Sequence, residues 1–103
     1  MQTTNHRDRD WAAPRVLRLA PEDNVAVAVI TIDAGETVLL EGQPVTAAQR
    51  IPAGHKLAIT AISAGEKVVK YGLPIGSATC AIGAGCHVHT HNLKSDYLPE
   101  RKA

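Results

Sequence analysis

The segment Ile82-Gly83-Ala84-Gly85-Cys86-His87-Val88 is the last of four copies of one pattern, Ile-x-Ala-Gly-x-x-aliphatic. The other copies begin at Ile32, Ile51 and Ile62. In each copy an apolar strand end meets a glycine, which tolerates positive φ, and an aliphatic residue opens the next strand. We therefore expect each copy to form a hairpin or corner turn between short β-strands. The irregular spacing of the copies argues against a solenoid of fixed period.

The segments between these turns read as strands. Residues 25–32 are apolar on both faces and rich in β-branched side chains, which favours a strand buried on both sides over a helix. A single helical turn is predicted at residues 46–50. Further strands are expected at 15–19, 37–40, 57–62, 66–71, 75–81 and 86–91. The sequence predicts a compact all-β domain over residues 14–95, between a flexible arm (1–13) and a tail (96–103).

The composition excludes several classes of protein. A chain of 103 residues with 45% hydrophobic and 20% charged residues is one soluble globular domain by the usual size prior. Its net charge of +1 gives no electrostatic case for binding nucleic acid or a membrane surface. The polar first segment is unlike a signal peptide, which predicts a cytoplasmic protein. Cys80 and Cys86 are expected to be reduced thiols rather than a secreted disulfide framework.

Three of the five histidines alternate along the segment that follows the last glycine turn. In an extended strand His87, His89 and His91 would share one face, with neighbouring rings about 6.6 Å apart along the strand. Neutral imidazole is a common metal ligand, but one ion does not readily hold all three unless the strand bends. Two of them with an outside group, of which His55 is the candidate, make a more compact site. A histidine-bearing subunit contact is the alternative, and His55 alone reads as a solvated turn residue.

No other chemical motif stands out. The glycine turns lack the Lys-Ser/Thr and the helix of a phosphate-binding loop. The serines lack a nucleophile context, and the cysteines lack a catalytic signature. Few carboxylates lie near the histidines in sequence. The chain therefore predicts part of an active site that a partner completes.

Four motifs together resemble a known family. The segments 23–28 (DNVAVA), 51–56 (IPAGHK), 70–76 (KYGLPIG) and 85–92 (GCHVHTHN) occur in this order. They are similar to the small N-terminal SAF-type domain of the altronate/galactarate dehydratase family, which has a β-clip fold. The resemblance implies an all-β, SAF-like domain and a lyase activity.

The family also implies partners and a cofactor. Its SAF domain is either fused to a large catalytic domain or encoded as a small subunit, and the length of this chain resembles the small subunit. The resemblance implies a sugar-acid substrate, a divalent metal (Fe²⁺ or Mn²⁺) and β-elimination of water from a 2,3-dihydroxy acid. A related enzyme, sulfolactate sulfo-lyase, has a small subunit of the same type. A non-catalytic binding or docking module, and a homo-oligomer of the isolated chain, remain open.

The resemblance suggests roles for individual residues. His87, His89 and His91 match the family motif as metal ligands. His55, His87 and His89 are the expected catalytic groups. Lys56 and Asn92 are the expected contacts to the substrate.

Overall fold

The computed structural model describes residues 14–96, so the predicted arm (1–13) and most of the predicted tail (97–103) lie outside the described residues. Short antiparallel strands make up the regular structure of this part, which confirms the all-β prediction. They are β1 (Val16–Leu17), β2 (Val25–Ala28), β3 (Thr37–Leu40), β4 (Gln43–Thr46), β5 (Lys56–Ala58), β6 (Lys67–Lys70), β7 (Leu73–Ala78), β8 (His87–Val88) and β9 (Leu93–Lys94). Nowhere in residues 14–96 does a helix occur that could cross a membrane.

The strands form three small sheets. One has the order β1-β2-β5-β8, the second is the hairpin β3-β4, and the third has the order β6-β7-β9. The two hairpins β3-β4 and β6-β7 turn through two residues each, Glu41-Gly42 and Tyr71-Gly72. All four have positive φ, between 53° and 83°. Positive φ at both central positions is the type I′ geometry, whose twist matches that of paired strands.

The four Ile-x-Ala-Gly copies are corners, and the hairpin turns lie elsewhere. Each glycine of the pattern has φ of 85° or 86°, as the sequence predicted. The isoleucines pair across the corners, Ile32 with Ile51 and Ile62 with Ile82. The chain therefore contains two copies of one structural unit: Ile62 follows Ile32 by 30 residues, and Ile82 follows Ile51 by 31. The extra residue of the second unit lies in β7, where the pairing shifts between Gly76 and Pro74.

The four-stranded sheet separates two apolar clusters. Alternate residues of a strand face opposite sides. Accordingly Ala26 and Leu57 pack with the β3-β4 hairpin in one cluster. Val25 and Ala58 pack with the β6-β7 hairpin in the other. Each unit of the duplication thus covers one face of the same sheet.

Two polar side chains fix the β6-β7 hairpin to the start of β2. Asp23 is only 4% exposed, and its carboxylate accepts hydrogen bonds from the backbone N–H groups of Tyr71 and Gly72, both at 2.8 Å. Asn24 donates to the carbonyl of Lys67 (2.9 Å) and accepts from the N–H of Val69 (2.8 Å). Burial raises the pKa of Asp23, but the backbone hydrogen bonds outweigh it, so the net shift is downward.

The structure corrects several predicted elements. The helical turn at 46–50 does not form: Thr46 ends β4, and the N–H groups of Ala47 and Ala48 bond to the distant carbonyls of Glu36 and Gly85. Strands β4 and β9 were missed. β4 contains a proline (Pro44) and its side chains are mostly exposed, so it lacks the alternating apolar pattern that predicts a strand. Both features are usual for an edge strand.

The predicted long strands are also shorter than expected. The strand expected over 25–32 ends at Ala28, and Val29 and Ile30 are 40% and 47% exposed. The strand expected over 86–91 contains only His87 and Val88. The first strand ends in a bend although the apolar run continues, and the second ends in a turn although the alternating histidines continue.

Candidate functional site

The pairing of β5 with β8 brings two distant histidine segments together. Leu57 lies opposite His87, and Lys56 lies opposite Val88. Continuing the antiparallel register places His55 opposite His89. Since residues two apart share a face, His55, Leu57 and His87 lie on the same side of the sheet. The sheet topology therefore joins the two segments that the sequence proposed as parts of one site.

A turn directly after β8 brings His91 close to His87. The N–H of Asn92 bonds to the carbonyl of His89 (3.0 Å), which reverses the chain directly after β8. The Asn92 side chain accepts from the N–H of His89 (2.9 Å) and donates to the carbonyl of His87 (2.8 Å). Asn92 is 7% exposed. Its amide therefore shapes the turn that carries His89 and His91.

The four imidazole rings lie against one another. The His55 ring is 4.2 Å from that of His89 and 5.0 Å from that of His87, measured between centroids. His87 is 5.5 Å from His89 and 5.2 Å from His91. Nδ1 of His55 and Nε2 of His87 are 2.8 Å apart, a hydrogen bond in which one ring donates and the other accepts. The turn thus gathers rings that a straight strand would hold apart.

Three of these histidines fit a metal ion. His55, His87 and His89 are half-buried, and one ligand nitrogen of each lies within 4.8 Å of the others. Metal–nitrogen bonds of roughly 2.0–2.1 Å keep the ligands of one ion within about 4.2 Å of one another, so small side-chain rotations suffice. Imidazole nitrogen suits Fe²⁺ and its heavier divalent neighbours. The residues present therefore fit a transition-metal ion.

The surroundings of His87 and His89 lower the pKa of both rings, which favours the neutral form that metal binding needs. Partial burial lowers the pKa of His87, as do the nearby His55, His91, His89 and Lys56. Burial is also the largest cause that lowers the pKa of His89. The nearby His55, Lys56 and His91 lower it further. Within residues 14–96 no carboxylate forms an ion pair with any of these histidines. In this part of the chain the histidines contact one another and no acidic side chain pairs with them.

Sequence reasoning missed the segment that supports β8. The side-chain oxygen of Gln49 accepts a hydrogen bond from the N–H of His87 (2.8 Å). The carbonyl of Gly85 accepts from the N–H of Ala48 (2.9 Å). A Cβ at Gly85 would lie 2.0 Å from the carbonyl oxygen of Thr46, so no other residue fits there without movement. Gln49 gave no sequence signal, because its role exists only after the chain has folded.

Lys56 lies next to the histidines but leaves the sheet on the other face. It alternates with His55 and Leu57 along the chain and is half-buried. Burial, followed by the charge of Lys70, lowers the pKa of Lys56. Of the residues predicted from the sequence, Asn92 and the four histidines thus form one cluster, and Lys56 flanks it.

Comparison with known proteins gives the family. A family model described as the altronate/galactarate dehydratase SAF domain matches residues 14–96. The altronate dehydratase of Escherichia coli (strain K12) is 49% identical over 74 residues, which are 72% of this chain and 15% of that protein. The altronate dehydratase of Bacillus subtilis (strain 168) is 36% identical over 80 residues, 78% of this chain and 16% of that protein.

A shorter relative matches over most of its own length. The (2R)-sulfolactate sulfo-lyase subunit alpha of Paracoccus pantotrophus is 48% identical over 50 residues, which are 48% of this chain and 75% of that subunit. The chain itself spans only 15% and 16% of the altronate dehydratases named above. The family model nevertheless covers the whole described structure. The chain belongs to the altronate/galactarate dehydratase SAF domain family.

Proposed function

We propose that this domain supplies the metal-binding histidines of a cytoplasmic sugar-acid hydro-lyase, whose large catalytic part completes the active site. The observation that carries the proposal is that one ligand nitrogen each of His55, His87 and His89 lies within 4.8 Å of the other two. The relatives named altronate dehydratase support the lyase class and a hydroxy-acid substrate. The lack of a carboxylate partner for the cluster within residues 14–96 supports a site shared with another segment.

The arrangement suggests how the roles divide among the histidines. His55, His87 and His89 would hold the ion, Fe²⁺ or Mn²⁺ by family. A bound divalent ion supplies Lewis-acid stabilisation of the charge that develops when the C2 proton leaves. His91 lies beside His87 but outside the convergent trio, so its ring is free to accept or donate a proton during elimination of water. Lys56 adjoins His55 in the sequence but lies on the opposite face of the sheet, so its contact with the substrate stays a prediction of the family resemblance.

A second candidate function is the elimination of sulfite from a sulfonated hydroxy acid. The match that covers 75% of a sulfo-lyase subunit alpha favours it, because the chain then corresponds to most of a separate subunit. Both reactions remove a proton next to a carboxylate and expel a group from the neighbouring carbon. The same histidine cluster would serve either one.

Metal binding by the isolated chain tests the proposal. Wild type should bind Co²⁺, used as a spectroscopic probe, and Fe²⁺ under anaerobic conditions at about one ion per chain. His55→Ala, His87→Ala and His89→Ala should each weaken binding at least tenfold. Thr90→Ala is the matched control, since it alters the same segment at an exposed position and removes no imidazole.

Reconstitution with a large dehydratase-type subunit then separates the two reactions. Release of water from altronate or galactarate supports the first candidate, and release of sulfite from sulfolactate supports the second. If the three histidine variants bind metal and turn over as the Thr90→Ala control does, the proposed role of the cluster is wrong.

A further inference from the structure

One side-chain amide beside the histidines has its oxygen bound and its nitrogen without a partner. The side-chain oxygen of Gln49 accepts the hydrogen bond from the N–H of His87 (2.8 Å), so the NH2 end of the same carboxamide is not used in this contact. Within residues 14–96 nothing accepts a hydrogen bond from this NH2 group, and Gln49 is exposed. Asn92 and Asn24, in contrast, use both ends of their carboxamides on the backbone. Gln49 therefore offers N–H donors to a ligand.

The segment that carries Gln49 lies on the side of the sheet that carries the histidines. Its flanking residues Ala47 and Ile51 pack in the same apolar cluster as Leu57. Leu57 lies opposite His87 in the pairing of β5 with β8, and residues that are paired in this way share a face of the sheet. The segment around Gln49 thus covers the side of the sheet from which the His87 ring projects.

Backbone contacts hold Gln49 at the outer edge of β8. The N–H of the preceding residue, Ala48, bonds to the carbonyl of Gly85 (2.9 Å), and the missing side chain of Gly85 leaves room for the carbonyl of Thr46. One carbon atom joins the two ends of a carboxamide, so the NH2 group of Gln49 lies at most about 5 Å from the backbone nitrogen of His87. A sugar acid bound at the His87 ring is long enough to reach this group.

We propose that Gln49 is a substrate-binding residue, whose carboxamide NH2 donates a hydrogen bond to a carboxylate or hydroxyl oxygen of the acid held at the histidine cluster. The identity of the ligand rests on the proposed function. A donor that is already fixed by its own backbone contact loses little freedom when a ligand binds, which favours affinity. His87 links the two sites, because its ring is one of the three candidate metal ligands and its N–H orients the donor.

Gln49→Glu separates this role from mere support of β8. Glutamate keeps an oxygen that can accept from the N–H of His87, but it replaces the NH2 donor with a second oxygen. Gln43→Glu makes the same chemical change at an exposed position of β4 and is the control. Both variants should keep the Tm of wild type and should still bind Co²⁺. Gln49→Leu loses the acceptor and the donor, so it should have a lower Tm.

Binding of galactarate to the full chain loaded with Zn²⁺ measures the contact itself. In proton–nitrogen NMR spectra the side-chain NH2 signals of Gln49, assigned by their absence in Gln49→Glu, should move as galactarate is added, and those of Gln43 should not. Gln49→Glu should bind galactarate at least tenfold more weakly than wild type, as expected when a hydrogen bond to a charged group is lost. Gln43→Glu should bind as wild type does. The complex reconstituted with a dehydratase-type large subunit gives the same comparison as a KM.

The outcomes separate this inference from the proposed function. Equal affinity for galactarate in wild type, Gln49→Glu and Gln43→Glu, or Gln49 NH2 signals that do not move, would overturn the substrate contact while metal binding by the histidines stands. Loss of Tm and of Co²⁺ binding in Gln49→Glu would also overturn it, because Gln49 would then only support the fold. Unchanged metal binding in the histidine variants overturns the proposed function instead, and it leaves the galactarate comparison between the two glutamate variants unaffected.

Discussion

Asn92→Ala should weaken metal binding more than its effect on stability explains. The side chain of Asn92 makes two hydrogen bonds to the backbone of the histidine segment, one to His87 and one to His89. Each such bond contributes about 1 kcal/mol net, so the variant should lose about 2 kcal/mol of unfolding free energy. For a domain of this size that corresponds to a fall in Tm of roughly 8–16 °C. The freed turn should no longer hold His89 against His55.

The chain offers a matched control for this prediction. Asn24 makes the same pair of side-chain bonds to the backbone of β6, away from the histidines. Asn24→Ala should therefore destabilise the protein by a similar amount, measured by urea unfolding, and leave its affinity for Co²⁺ unchanged. Asn92→Ala should lower that affinity at least tenfold at a temperature where both variants are fully folded. An equal loss of affinity in both variants, or none in Asn92→Ala, would refute the reasoning.

Two further predictions concern the backbone and pH. Gly85→Ala and Gly65→Ala both force an L-residue into positive φ, which costs about 1–2 kcal/mol, but only the first also meets the carbonyl of Thr46. Thermal unfolding should show a loss of about 3–5 kcal/mol for Gly85→Ala and no more than about 2 for Gly65→Ala; similar losses would contradict the predicted clash. The lowered pKa of Asp23 means that its carboxylate stabilises the fold above its usual pKa of 3.8, and that this contribution disappears as the pH falls through the lower folded value. The stability gap between wild type and Asp23→Asn, measured by urea unfolding, should therefore be widest near pH 7 and narrow towards pH 3; a gap independent of pH would contradict this.

The duplication explains why the two units do not each carry a histidine cluster within residues 14–96. The offset of 31 residues relates His55 to Cys86 and Lys56 to His87, so the two units carry different side chains at equivalent places. The site arises because β5 of the first unit pairs with β8 of the second. Non-equivalent positions thereby become neighbours. A symmetric fold thus produces an asymmetric site.

The sequence by itself determined the class of fold and singled out the histidine segment as the candidate site. β-branched runs and four Ala-Gly turns are local signals, and each glycine adopts the positive φ that its turn requires. The motif resemblance was likewise readable, since it depends on residue identity alone. Alternation also indicated the histidine segment as the place where candidate ligands concentrate.

Only the tertiary structure decided how the histidines meet. An alternating pattern predicts a straight strand, but the side-chain bonds of Asn92 end the strand at Val88 and turn the chain. The partner of this segment, His55, comes from 32 positions earlier through a strand pairing that no local pattern specifies. The support from Gln49 and the tight contact at Gly85 are likewise long-range. Local preferences fix which residues turn or extend, whereas contacts between distant segments fix which side chains share a site.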